Sequence, residues 1–173
     1  SCGIESKNII VVIGGKGDVW NRENKEKVQK IHKNIIINNE NIERNQTYSL
    51  WLALQKIEES TLCIDGDTIF RKEIIEKILN CNYDSAILTR SGEKAEKRLR
   101  ALIKEDRILE IGTEVKSERV YTPILKLSSQ ILKVLKQELE KGTHFGFAIN
   151  VPINAICKVY PIYNVSIAYE DWP

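Results

Sequence analysis

The chain has 173 residues, 42% of them hydrophobic, a length that suits one domain and a composition that supplies a substantial core. Basic and acidic side chains nearly balance, 26 against 24, and the net charge of +2 gives no field that selects for nucleic acid or an anionic membrane. No apolar run approaches the length of a membrane span, and Cys2, Cys63, Cys81 and Cys157 form no Cys-x-x-Cys pair, which argues against a zinc site and a disulfide framework. A soluble, cytoplasmic protein with reduced thiols is expected, with no nucleic-acid partner and no membrane span. The chain opens on Ser1 with an apolar strand close behind, the pattern expected of a fragment or a processed product.

Lys7 to Ile13 is a β-branched run that reads as a buried strand covered on both faces, ending in Gly14-Gly15-Lys16-Gly17. These glycines match neither a Walker A loop nor a dinucleotide fingerprint, so a plain loop is expected over a phosphate cradle. Asn24 to His32 predicts a charged, solvated helix, with His32 a surface residue at its end, and Asn34 to Ile37 a brief strand. The polar segment 38–45, with four asparagines, resembles a loop that approaches a ligand. Thr47 or Ser49 is then expected to cap a helix running through Trp51 to Glu59, with Leu50, Leu54 and Ile57 as its buried stripe.

That helix hands the chain to Thr61-Leu62-Cys63-Ile64, an apolar strand that stops at Asp65-Gly66-Asp67. In open α/β sheets ligands gather outside the carboxyl ends of strands, and carboxylates there are suited to holding a metal, with the glycine letting the backbone turn. An amphipathic helix follows over Arg71 to Leu79, with Ile74, Ile75 and Ile78 inward, then a strand over Asp84 to Thr89. Arg98 to Ile111 predicts a hairpin turning at Glu105-Asp106, whose Arg98, Arg100 and Lys104 are read as exposed edge charges rather than as the lining of an anionic site. Val120 to Leu127 predicts a strand, Gln130 to Lys141 a helix stopped by Gly142, His144 to Ala155 a helix despite Pro152, and Lys158 to Ile162 and Asn164 to Tyr169 short closing strands. Strands alternating with helices predict a single α/β layer structure with an inserted antiparallel hairpin.

Four stretches carry a family resemblance: Asn45 to Ala53, Ile64 to Phe70, Arg107 to Gly112, and Tyr169-Glu170-Asp171-Trp172-Pro173. Together they resemble the sugar nucleotidyltransferases, in particular the phosphocholine cytidylyltransferase-like members. The resemblance implies a three-layer α/β/α, Rossmann-like mixed sheet of the nucleotide-diphospho-sugar transferase type, with residues 1–173 as one nucleotidyltransferase-like domain. It also implies Mg²⁺-dependent transfer of a nucleotidyl group from a nucleoside triphosphate to a phosphorylated sugar or alcohol, with release of pyrophosphate. Asp67 and Asp171 would be the catalytic carboxylates that hold Mg²⁺, and Asn45, Thr47, Ser49 and Asp65 would lie against the nucleotide.

The chain also departs from the family. The opening strand and glycine-rich, phosphate-binding loop are not found in it, so an active enzyme is expected to need completion by an N-terminal segment. Val120, Pro123 and Phe147 stand where members place a substrate-binding acid, a glycine and a second acid. Two alternatives keep the fold: a metal-dependent glycosyltransferase using the Asp-x-Asp at 65–67, and a non-catalytic nucleotidyltransferase-like remnant.

Overall fold

The computed structural model describes residues 4–17, 21–41, 44, 46–92 and 98–172. They fall into two compact units, one within residues 4–58 and 135–152, the other within residues 59–134 and 153–172.

The first unit is built on a parallel strand pair joined by a crossover helix. β1 (Val11–Gly14) and β2 (Ile35–Asn38) pair from Val11 opposite Ile35 to Gly14 opposite Asn38, with α1 (Arg22–Ile31) between them in sequence. Asn21 caps α1 by accepting from the Asn24 amide at 2.9 Å, and no side chain of α1 is buried, as its charge pattern predicts. The Lys7 to Ile13 run yields a shorter strand than expected, because Ser6–Asn8 form a 3-10 turn. Of the run only Ile13 is buried, so this strand is not covered on both faces. α2 (Gln46–Leu54) starts before Thr47 and Ser49, which therefore lie inside the helix rather than at its cap, and it ends before Ile57. Its buried face is Thr47, Ala53 and Leu54.

The second unit carries a six-stranded mixed sheet: β3 (Thr61–Ile64), β4 (Ala86–Ser91), the hairpin β5 (Arg100–Lys104) and β6 (Arg107–Gly112), β7 (Arg119–Leu127) and β8 (Tyr163–Ile167). The order is β3-β7-β4-β8-β6-β5, and a single pair, Arg100 opposite Val120, also joins β5 to β7, closing five strands into a ring. The hairpin turns where expected, with Glu105 and Asp106 both at positive φ. α3 (Lys72–Leu79) lays Ile74, Ile75 and Ile78 on Ala86, Leu88, Ile124, Val165 and Ile167, the apolar side of the sheet. Burying one such side chain is worth about 1.5–3 kcal/mol, which fixes the register of these strands.

α4 (Ser129–Glu140) and α5 (Asn150–Cys157) each begin in one unit and end in the other. Ser128 accepts from the Ile131 amide at 3.3 Å, and Gly142, at φ +71°, takes the left-handed position that ends the following turn. Residues 144–149 are turns rather than helix: α5 starts only at Asn150, which puts Pro152 in a first turn where its missing N–H costs nothing. Residues 158–162 make no strand either, and Pro161 would remove a ladder donor there.

Candidate functional site

Strand directions define a rim. β3 and β4 both run antiparallel to β7, and β4 runs parallel to β8, so β3, β4 and β8 all end at the same edge, where β7 begins. This is the edge at which open α/β sheets bind ligands.

Directly after β3, the Asp65 amide donates to the Pro123 carbonyl at 3.2 Å and the Thr68 amide to the Asp65 carbonyl at 3.1 Å, which turns the chain across the rim. Asp65 is half-buried and Asp67 is exposed. Gly66 has no positive φ, and nothing lies within 4 Å of a Cβ built on it, so neither the turn nor crowding demands glycine there. Burial, then the negative charge of Asp65, pushes the Cys63 thiol up to about 12, which keeps it protonated at neutral pH. Burial first, then Asp65 and Cys63, push the Tyr121 hydroxyl well above its usual range.

Asp171 lies at the same rim, after β8, exposed and lining a shallow pocket of about 240 Å³ with Arg71, Glu73, Ile74, Lys77 and Ile167. Asp67 is not part of that lining. β7 and β4 separate β3 from β8, so the two strands lie about 14 Å apart at the usual strand spacing and only the loops can bring the two acids together. Among the described residues no group of three His, Cys, Asp or Glu side chains is gathered as a metal cluster. The donor set at the rim is nevertheless all oxygen, and Mg²⁺ takes one or two carboxylates, with phosphate oxygens and water completing its shell.

In the first unit, Asn45 lies outside the described residues. The Thr47 hydroxyl is buried and donates to the Phe147 carbonyl, and Ser49 accepts from Asn38 Nδ2 at 2.9 Å. Asn38 is itself buried and accepts from the Glu40 amide at 2.9 Å. The glycine turn after β1 is tied down in the same way. Asn41 Oδ1 accepts from the amides of Gly15 and Lys16 at 3.0 and 2.9 Å, and Lys25 Nζ donates to the Gly15 carbonyl at 2.6 Å. A phosphate cradle needs free amides, and the chain itself takes up these two, so the plain-loop reading holds.

Sequence reasoning passed over Arg119. Its guanidinium donates to Thr89 Oγ1 at 3.1 Å, Ser91 Oγ at 3.1 Å, the Thr89 carbonyl at 3.0 Å and the Ile167 carbonyl at 3.3 Å, lacing β7, β4 and β8 together at the rim. Thr89 in turn donates to Asn164 Oδ1 at 2.6 Å. The available signal was an arginine opening the Val120 to Leu127 strand two residues before a tyrosine, which puts both on one face. The basic residue expected to be exposed on the hairpin, Arg100, is instead buried and donates to the Ser117 carbonyl at 2.7 Å, while Arg98 and Lys104 are exposed.

No protein-family model matches this sequence, and comparison with curated proteins finds no match. Solved structures do match. The inositol-1-phosphate CTP transferase of T. maritima superposes with a TM-score of 0.71 at 15% identity, covering 92% of this chain and 66% of that one. The CTP:phosphocholine cytidylyltransferase of Streptococcus pneumoniae gives 0.70 at 13% identity, over 91% of this chain and 69% of that one. A CMP:2-keto-3-deoxy-manno-octonic acid synthetase complexed with CTP gives 0.64 at 13%, over 92% and 73%. The chain thus has the α/β fold of the nucleotidyltransferases, with a mixed sheet matching the nucleotide-diphospho-sugar transferases. It spans about two thirds of the length of the first of these structures. Among the described residues no helix is long and apolar enough to cross a membrane.

Proposed function

We propose that residues 1–173 form one three-layer nucleotidyltransferase-like domain that transfers a nucleotidyl group from a nucleoside triphosphate to a phosphorylated sugar or phosphocholine-like alcohol. The observation that carries this reading is the Asp65-Gly66-Asp67 turn at the carboxyl ends of β3, β4 and β8, in a fold shared with CTP-using enzymes. In the reaction a phosphate oxygen of the acceptor attacks the α-phosphorus of the triphosphate, the α–β bridging bond breaks, and its electron pair leaves with pyrophosphate. Such an in-line displacement asks little covalent chemistry of the protein and much positioning.

Asp67 and Asp171 would hold Mg²⁺, which supplies charge neutralisation on the reacting phosphates. Asp65 would face the nucleotide; Thr47, whose hydroxyl is given to the Phe147 carbonyl, would act by holding α2 in place. The glycosyltransferase and remnant readings differ in what is consumed: a nucleotide sugar, or nothing.

The test is Asp67→Ala in the full-length protein. Losing a metal ligand removes several kcal/mol of transition-state stabilisation, so Mg²⁺-dependent pyrophosphate release should fall by at least about 100-fold. Because Asp67 is exposed, the fold should persist by circular dichroism. Undiminished turnover removes the assignment.

A further inference from the structure

Polar groups in a protein interior normally satisfy one another, so those left unmatched at a rim that binds ligands point to a ligand. One such group, the Tyr121 hydroxyl, sits two residues along β7 from Arg119, a hydrogen-bonded cation without a counter-ion. Arg119 has four hydrogen-bond acceptors, all of them neutral: two hydroxyls and two carbonyls. Among the described residues no carboxylate pairs with it, and partial burial lowers its affinity for its proton. Tyr121 pairs opposite Thr89, the residue that Arg119 binds, and as alternate residues of one strand Arg119 and Tyr121 leave the same face with Cα atoms about 7 Å apart. Its hydroxyl is buried with no hydrogen-bond partner among the described residues. A cation without a counter-ion beside a donor without an acceptor is the complement of an oxyanion.

Resting on the nucleotidyltransferase reading, we propose that Arg119 and Tyr121 form a subsite for the phosphate monoester of the acceptor. Arg119 supplies the positive charge, with its planar fork already set by Thr89, Ser91 and the Ile167 carbonyl. Tyr121 supplies a neutral donor, and the phosphate gives its hydroxyl the acceptor that the chain does not. The negative charge of Asp65 lies near Tyr121 and repels an anion there. The phosphate is therefore seated towards Arg119, with one oxygen reaching the Tyr121 hydroxyl. On this view the rim recognises the phosphate of the acceptor ahead of the alcohol that bears it.

The test is calorimetric titration of the full-length protein with inorganic phosphate, glycerol phosphate and CTP, in wild type, Arg119→Gln and Tyr121→Phe. Arg119→Gln should weaken inorganic phosphate and glycerol phosphate by about tenfold or more, the scale of a lost charge-assisted bond. Tyr121→Phe should weaken both by about threefold to tenfold. It should also leave the Tm of the free protein unchanged or higher, since it deletes an unsatisfied buried group, while shrinking the Tm rise that phosphate produces. A hydroxyl that is merely trapped would raise Tm and leave phosphate affinity alone, and that result overturns the proposal. So does wild-type protein that binds neither inorganic phosphate nor glycerol phosphate, or a loss seen only with CTP, which would give the subsite to the triphosphate. Should Arg119→Gln not fold, Tyr121→Phe decides. These titrations need no turnover, so their outcome is independent of the Asp67→Ala result.

Discussion

The glycine turn of the first unit and the rim of the second treat their polar groups in opposite ways. Around Gly15 the amides, the asparagine side chains and Ser49 bind one another at close range, and Thr47 binds the Phe147 carbonyl, with Asn38 and Thr47 almost wholly enclosed. At the rim Asp67 reaches solvent and, among the described residues, Arg119 has no carboxylate and Tyr121 no partner. Both regions are rich in polar residues, yet the first closes its hydrogen bonds on itself, while the second, though laced by Arg119, leaves a charge and a hydroxyl unanswered. Composition around a glycine turn therefore does not tell a structural loop from a binding one; the ledger of donors and acceptors does.

That contrast is sharpest at the glycines. A Cβ on Gly15 would sit 2.3 Å from Asn39 Oδ1, 2.9 Å from Asn39 Cα and 3.0 Å from the Asn38 carbonyl, so Gly15→Ala should cost about 2–3 kcal/mol in urea denaturation. Gly66→Ala, with open space around it, should stay within about 0.5 kcal/mol. Equal costs for the two would erase the distinction between a locked turn and an open one.

Thr47→Val removes one buried bond from the locked region and should cost about 1 kcal/mol in the same measurement. A loss of nucleotide affinity without loss of stability would instead return Thr47 to the ligand side of the comparison.

The smallest effect concerns pH, at a surface contact belonging to neither set. Hydrogen bonds from Lys141, then from His144, hold the Glu138 carboxyl below its usual range. A depressed carboxylate contributes stability that is present above its unfolded value and is lost as the pH falls through its folded one. Glu138→Gln should thus remove a small part of the acid-side loss of stability below about pH 4.5 and, as an exposed pair is worth about 0–1 kcal/mol, change little at pH 7. Acid denaturation midpoints of the two proteins make the comparison.

Much of this architecture was legible in the sequence, for identifiable reasons. α3 was readable from Ile74, Ile75 and Ile78, whose helical spacing became the buried face, and the hairpin from its alternation around Glu105-Asp106. The misreadings fell where local and tertiary signals compete. Ile9 and Ile10 have strand propensity but lie outside the β1–β2 pairing, and Pro152 marked a helix start where it was taken for an interruption. At the site, the Asp65-Gly66-Asp67 turn is visible in any reading of the chain. Arg119 is not, because its meaning depends on Thr89, Ser91 and Ile167, which only the strand order brings beside it.

β8 has a consequence for how the chain acquires its structure. It lies between β4 and β6, and it pairs with β4 from Ala86 opposite Tyr163 to Arg90 opposite Ile167, partners far apart along the chain. Until residues 163–167 arrive, β4 has one open flank and reaches β6 only by way of β7 and β5. Closing a loop that long carries an entropic cost before any contact offsets it, so refolding of this unit should be slow and its partly assembled forms prone to intermolecular strand pairing.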